Sequence, residues 1–292
     1  MYQRAAADLS RLQQGAAAPA LTAYLETLVA RAYGETYQSR PVPNWRLALR
    51  RLPGLFLRFP IVFRRRFAFF ALALAITCGG ALFGALAVSA DPGAVAVLLP
   101  AGYLRNPLRR VHAAESGRAP APAAGEEAEF SAELMTHNID VALLALFLGL
   151  TLGAGTAVML FSNGVMLGAV VARYAAAGVG EFAGGWLLPH GVFEIPAVLI
   201  AGQAGFMLAA ALLRGSAVPR WRRLRAILPE VLILTGGFCA MLVWAGTVEG
   251  MFSQHHAPQI SYAVKIAFGL VELAALALYL GLVGRSRPEA AA

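Results

Sequence analysis

The chain has 292 residues, of which 59% are hydrophobic and only 14% charged, and its mean hydropathy is +0.64. Soluble domains carry about a quarter charged residues, so this composition excludes an ordinary soluble protein and indicates an integral membrane protein. The net charge of +8 comes almost entirely from arginines that flank apolar segments. Such arginines are typical of topology signals, and we predict no nucleic-acid partner.

Residues 1–66 are polar and basic, and we predict a cytoplasmic helical region there. A helical stripe of apolar side chains begins at Leu21, and Pro41 ends that helix. Residues 45–66 combine large apolar side chains with seven arginines. This mixture is typical of an amphipathic helix on an anionic membrane surface. The alternative is a solvated helix that simply precedes the first span.

Residues 67–90 form the first apolar segment, which is long enough to cross a bilayer. The polar residues 91–140 follow and are predicted to form an outer, periplasmic loop. Its middle, residues 113–129, is rich in Ala, Pro and Glu and is predicted to be disordered. The membrane core of about five further spans then occupies residues 141–283, and residues 284–292 form a cytoplasmic tail.

The core contains one ambiguous segment. Residues 165–178 are apolar but short, and Ser162–Gly164 before them predict a turn. Arginines are concentrated in the N-terminal region and at 214–226, which places both termini in the cytoplasm and requires an even number of crossings. We therefore predict an all-α bundle of about six spans, with five spans plus a re-entrant hairpin tipped by residues 162–164 as the alternative. The remaining predicted spans are 141–161, 187–213, 227–248 and 260–283.

The span at 187–213 holds His190 and Glu194 between Pro189 and Pro196. Ionisable side chains and prolines are costly inside hydrocarbon, so each needs a structural or functional reason. At positions i and i+4 the two side chains share one helix face. They would either brace a helix that the prolines break or line an ion or substrate path. The pattern lacks a nucleophile and the second histidine of a zinc protease, and we predict no catalytic residue.

Further ionisable residues lie in or near the core. Glu272 lies near the centre of the last span and Lys265 two turns earlier, so we expect a buried pair that serves packing or transport. All five histidines are expected on the outer side, where Glu194 and Glu249 also lie. Such side chains can bind zinc or copper. Because they are scattered without a close-spaced ligand motif, we predict no metal site and no cofactor.

Five pairs of glycines have the spacing G-x-x-x-G, among them Gly80/Gly84, Gly149/Gly153 and Gly164/Gly168. Such pairs let membrane helices approach closely. In a chain with 30 glycines several pairs arise by chance, so they support close packing only weakly.

Four sequence patterns resemble the stage II sporulation protein M-like family. They are NGVMLG (163–168), PHGVFEIPAVLIAGQAGF (189–206), FPIVFRRRF before the first span, and the N-terminal YQRAAADLSRL…LTAYLETLVARAYGETY. The likeness covers nearly the whole chain outside the outer loop. The motif positions that match are Asn163, Gly164, Gly168, His190, Gly191, Glu194, Pro196, Gly202 and Gly205.

The resemblance implies a multi-pass protein of the bacterial inner (cytoplasmic) membrane without known enzymatic activity. The family's namesake anchors peptidoglycan-degrading partners during engulfment in spore formers. Relatives in bacteria that do not sporulate are often encoded near MoxR-type ATPases and von Willebrand A-domain proteins. The arginine-rich, lysine-poor composition of this chain favours such a host.

We therefore expect a non-enzymatic scaffold that docks cell-envelope partners. The alternative is a permease subunit whose polar path runs through His190, Glu194 and Glu272. The expected partners are the lipid bilayer and membrane or cell-envelope proteins, with a homo-oligomer as a further assembly compatible with the sequence.

Overall fold

The computed structural model describes residues 23–30, 45–99, 106–116, 126–215, 218–253, 255, 257 and 259–285. The chain divides into two compact units, residues 1–52 and residues 53–292. In the first unit, residues 23–30 are helical, in agreement with the predicted stripe. The rest of that predicted helix, most of the predicted disordered segment and the end of the tail lie outside the described residues.

The described residues contain helices and turns but no β-strand. After the helical residues 23–30, the helices in chain order are α1 (Trp45–Arg65), α2 (Phe67–Ala90), α3 (Ala94–Leu98), α4 (Pro107–Glu115), α5 (Glu126–Phe147), α6 (Ala154–Ala176), α7 (Gly180–Leu213), α8 (Arg220–Val248) and α9 (Tyr262–Leu282). A 3-10 turn, Leu148–Leu150, extends α5, and a π-helical turn, Glu249–Ser253, extends α8.

Within the described ranges, five helices are long and apolar enough to cross a membrane: α2, α6, α7, α8 with its π turn, and α9. The apolar part of α5, Met135–Leu150, is shorter. These helices confirm the predicted all-α, multi-pass membrane class. The number of crossings and the side of the termini stay predictions.

The turn between α5 and α6 lies earlier than predicted. Leu152 and Gly153 adopt left-handed backbone conformations, with φ of +59° and +87°. The Thr151 hydroxyl accepts a hydrogen bond from the Gly155 amide at 2.9 Å and so satisfies a donor in the first turn of α6. The predicted turn at Ser162–Gly164 lies inside α6, so that turn, and the hairpin tipped by it, are wrong.

The residues predicted as spans 141–161 and 165–178 are therefore divided at 151–153, between α5 with its 3-10 turn and helix α6. Its 23 residues extend about 34 Å at 1.5 Å per residue, enough for a bilayer core of about 30 Å. The Asn163–Gly164 pair is typical of a turn, but in this structure Gly164 lies inside α6 and allows close helix packing.

Helices α2 and α6 pack backbone against backbone. A Cβ added to any of four glycines would collide with a backbone carbonyl oxygen of the facing helix. The glycines and the residues that carry those oxygens are Gly80 with Phe161, Gly84 with Val165, Gly164 with Thr77, and Gly168 with Ala81. The residue numbers rise together on both helices, so α2 and α6 run parallel. We call this contact the glycine interface.

Helix α7 lies at the centre of the bundle and contacts α2, α5, α6, α8 and α9. In the most apolar 18-residue stretch of α7, 72% is buried inside the bundle, against 22–39% in the other four candidate spans. Pro189 and Pro196 lie inside this helix, which runs without interruption from Gly180 to Leu213. The expected break is therefore wrong. A proline removes one i→i−4 hydrogen bond, and packing against five neighbours outweighs that loss.

The second half of α1 packs against the bundle. Phe59 is buried where Gly237 of α8 leaves room for its ring. The Arg64 guanidinium donates to the carbonyl oxygens of Leu280 and Val283 at 2.5 and 2.6 Å, which satisfies acceptors at the end of α9. Arg65 and Arg66 form ion pairs with Glu230 of α8. The predicted basic amphipathic helix is thus present, while its position relative to the lipid surface stays a prediction.

Candidate functional site

Three ionisable side chains meet at the end of the bundle where α2, α6 and α8 finish and α7 and α9 begin. His190 and Glu194 come from α7, and Glu249 is the first residue of the π turn. Each offers one ligand-type atom, and these atoms lie within 4.8 Å of one another. We call these three residues the His–Glu cluster.

The shortest contact in the cluster joins the two helices. His190 Nδ1 lies 2.8 Å from Glu249 Oε2, and the two side chains are only 8% and 7% exposed. The same nitrogen lies 3.2 Å from the Ser253 hydroxyl. Glu249 and Ser253 are both on the π turn, so this rare backbone geometry directs two polar groups towards one imidazole.

Glu194 lies at the less buried side of the cluster. Its carboxylate accepts a side-chain hydrogen bond from Asn138 of α5 and interacts electrostatically with His190, Glu249 and His137. The predicted pair of His190 and Glu194 therefore does share a face. Sequence reasoning missed the partnership of His190 with Glu249, since the only signal was a carboxylate at the end of an apolar span.

Lys265 lies next to the cluster and is fully buried. Its ammonium donates to the carbonyl oxygens of Ser253 and His255, each at 2.7 Å. These carbonyls end α8 and its π turn, where a lysine is a favourable cap. Lys265 also interacts electrostatically with Glu249. It thereby ties α9 to the π turn that carries Glu249.

Glu272 forms its hydrogen bond with a residue outside the His–Glu cluster. It accepts a hydrogen bond from the Trp244 indole nitrogen at 2.7 Å, and its other carboxylate oxygen has no partner among the described residues. The expected pair of Lys265 and Glu272 is wrong. They are seven positions apart on α9, which places them about 10 Å apart along the helix axis, and each bonds to a group outside α9.

Four of the family-motif glycines serve helix packing. Gly164 and Gly168 belong to the glycine interface. A Cβ on Gly202 would crowd Leu160, and one on Gly205 would crowd the Ala145 carbonyl and the Thr156 hydroxyl. Of the other motif positions outside the cluster, Gly191 is buried, while Asn163 and Pro196 are half-buried on α6 and α7. The motif therefore combines packing positions with two members of the His–Glu cluster.

The cluster does not have the geometry of a Ser–His–acid triad. In such a triad the nucleophile and the acid bind opposite nitrogens of the histidine. Here Ser253 and Glu249 both approach Nδ1 of His190. An imidazole and two carboxylates at this separation can instead share protons between helices or coordinate a cation.

Comparison with known proteins gives matches for two parts of the chain. The family described as stage II sporulation protein M matches residues 73–254, and a domain of unknown function matches residues 1–38. An uncharacterized protein of Methanocaldococcus jannaschii is 33% identical over 76 residues, which cover 26% of this chain and 43% of that relative. The chain thus aligns with less than half of the relative's length.

No solved structure matches the chain. The stage II sporulation protein M match, by contrast, extends from within α2 to the π turn and includes all three members of the His–Glu cluster. It covers more than half of the sequence, and the chain therefore belongs to the stage II sporulation protein M family.

Proposed function

We propose that this protein is a non-enzymatic scaffold in the bacterial inner membrane that anchors cell-envelope proteins. In this proposal the bundle crosses the membrane six times, with both termini in the cytoplasm. Candidate partners are peptidoglycan-remodelling enzymes, MoxR-type ATPases and von Willebrand A-domain proteins, which the resemblance suggests. A homo-oligomer of this chain is also compatible with the scaffold role.

One observation carries the proposal: the buried polar side chains near the His–Glu cluster bond to other helices of the same chain. His190 bonds to the π turn, Lys265 bonds to the carbonyls that end it, and Glu194 bonds to α5. A transport path needs such groups to face water. Groups that join helices instead support a rigid bundle, which suits an anchor.

The same end of the bundle offers a surface for a protein partner. Helix α3 follows α2 there, and its Val97 side chain is 85% exposed. Beside it lies an open groove of about 500 Å³, lined by Val88, Pro92, Gly93, Val95, Ala96, Arg173 and Ala176. An apolar groove of this kind suits a partner that presents apolar side chains.

Photo-crosslinking in native membranes tests the scaffold. A photoreactive residue at Val97 is expected to give a reproducible protein adduct, and one at Leu57 of α1 tests the opposite end in the same way. Leu232, exposed on the side of α8, is the control and is expected to give lipid adducts. Absence of protein adducts at both ends contradicts the scaffold.

A permease subunit is the second candidate. It is favoured by the partial exposure of Glu194 and by the carboxylate oxygen of Glu272 that has no hydrogen-bond partner in the described part of the chain. It predicts that His190→Ala or Glu194→Gln abolishes function while membrane abundance and partner binding stay normal. Loss of abundance in these variants supports the structural role instead.

A further inference from the structure

We propose that the His–Glu cluster binds one divalent transition-metal ion, with Zn²⁺ as the best fit. The ion would join α7 to the π turn that ends α8. This inference goes beyond the scaffold, which needs no metal, and it differs from the sequence-based expectation of no metal site. That expectation placed Glu249 on the same side as His190 but treated the two as scattered, because 58 residues separate them in the chain.

The chemistry of the donor set selects the class of cation. One imidazole nitrogen and two carboxylate oxygens form a mixed nitrogen–oxygen set. Such sets suit Zn²⁺ and neighbouring transition metals. Ca²⁺ and Mg²⁺ prefer shells made of oxygen alone, so a histidine at the centre of the cluster disfavours them.

The separations fit a single ion after a small adjustment. Zinc lies about 2.0 to 2.2 Å from nitrogen and oxygen ligands, so two tetrahedral ligand atoms lie about 3.3 Å apart. His190 Nδ1 and Glu249 Oε2 are 2.8 Å apart and need to separate by about half an ångström. Glu194, the least buried member, completes a set in which all ligand atoms lie within 4.8 Å. A three-residue set leaves the fourth position to water.

Groups around the cluster hold its members in place. Asn138 donates to Glu194, whereas Ser253, 3.2 Å from Nδ1 of His190, would give up this contact when that nitrogen binds the ion. Lys265 fixes the π turn through the carbonyls of Ser253 and His255. Metal sites depend on this kind of outer support, whose loss typically lowers affinity about 10- to 100-fold.

The negative charge of the two carboxylates has a second explanation, in which no metal ion is bound. Two carboxylates in a buried seam require positive charge nearby. A metal ion can supply it, but so can a proton on His190 together with the Lys265 ammonium, which interacts electrostatically with Glu249. A proton network and a metal site make opposite predictions for zinc content, and the experiment is chosen to separate them.

The full chain, purified in detergent with an affinity tag that lacks histidine, is saturated with Zn²⁺, dialysed and analysed for metal. We expect about one zinc per chain. Glu249→Gln and Glu194→Gln, which keep the side-chain shape, are each expected to weaken zinc binding by more than about 100-fold in chelator competition, since direct ligands matter more than outer ones. Glu230→Gln, the same change at a carboxylate on a distant part of α8, is the matched control and keeps wild-type affinity.

X-ray absorption at the zinc edge provides a second measurement on the wild-type protein. One imidazole with oxygen ligands and no sulfur supports the site, even where Glu249→Gln fails to fold. Wild-type protein that retains no zinc, glutamine variants that bind zinc as tightly as the wild type, or a spectrum without imidazole overturns the proposal in favour of a proton network.

Discussion

Two contacts hold this bundle by opposite means: the glycine interface of α2 and α6, and the junction of α7 with the π turn at the His–Glu cluster. At the first, missing side chains let backbones touch. At the second, buried polar side chains bridge the helices. In lipid there is little hydrophobic force between helices, so close packing and polar bonds have to supply the association. The glycine interface should tolerate no added volume, whereas the polar junction should be sensitive to the loss of single atoms.

The largest effect is expected from added volume at the glycine interface. Gly80→Leu would place a side chain against the backbone of α6, and a cost of at least about 3 kcal/mol should remove most folded protein. Membrane abundance and thermal unfolding in detergent measure the loss. Gly79→Leu is the matched control, because a Cβ on Gly79 meets nothing within 4 Å. Equal behaviour of the two variants would refute the backbone contact.

At the polar junction the largest effect is expected from Lys265. Lys265→Met keeps the length of the side chain but leaves the carbonyls of Ser253 and His255 without their donor. We expect a loss of about 2 to 3 kcal/mol, with faster amide hydrogen exchange around the π turn. Val264→Met, at an exposed position one residue earlier, should leave exchange unchanged. Unaltered exchange in Lys265→Met would show that the lysine does not hold the turn.

A smaller effect is expected for the coupling of His190 to Glu249. A double-mutant cycle with His190→Ala and Glu249→Ala should give a coupling free energy of about 1 kcal/mol or more, because the two side chains touch. The same cycle between His190 and Glu230, an ion-paired residue on another part of α8, should give a value near zero. Coupling of equal size in both cycles would contradict a specific contact.

The smallest effect is expected from one buried hydroxyl. Thr156 donates to the Ala145 carbonyl at 2.7 Å and joins α6 to α5, so Thr156→Val should lower stability by about 1 kcal/mol. Thr247→Val removes a hydroxyl that donates within α8 on an exposed face and should have no measurable effect. Thermal unfolding of both variants in one detergent gives the comparison.

The sequence predicts the local features of this molecule better than it predicts the contacts between distant segments. Long apolar runs gave the helical spans at 67–90 and in α7, α8 and α9, because length and hydropathy determine a membrane helix almost alone. The i and i+4 spacing placed His190 and Glu194 on one face correctly. Such features can be predicted because they depend on one continuous segment of the chain.

Contacts between distant segments were not predictable in the same way. Asn163–Gly164 indicated a turn, because sequence alone does not show that α2 presents its backbone to Gly164. Lys265 and Glu272 were expected to pair with each other, yet each found a closer partner on another segment. Glu249 reaches His190 only through a π turn, which sequence patterns do not reveal.

The parallel course of α2 and α6 has a consequence for the lipid around the protein. Two neighbouring helices can cross a membrane in the same direction only if the chain returns between them, and α5, which packs on α7 and α8, is the long helix between α2 and α6 in the chain. Its apolar part, Met135–Leu150, extends about 24 Å at 1.5 Å per residue, less than the hydrocarbon thickness of about 30 Å. Such hydrophobic mismatch is relieved by local thinning of the bilayer. The protein is therefore expected to dimple the membrane on the side where α5 meets lipid.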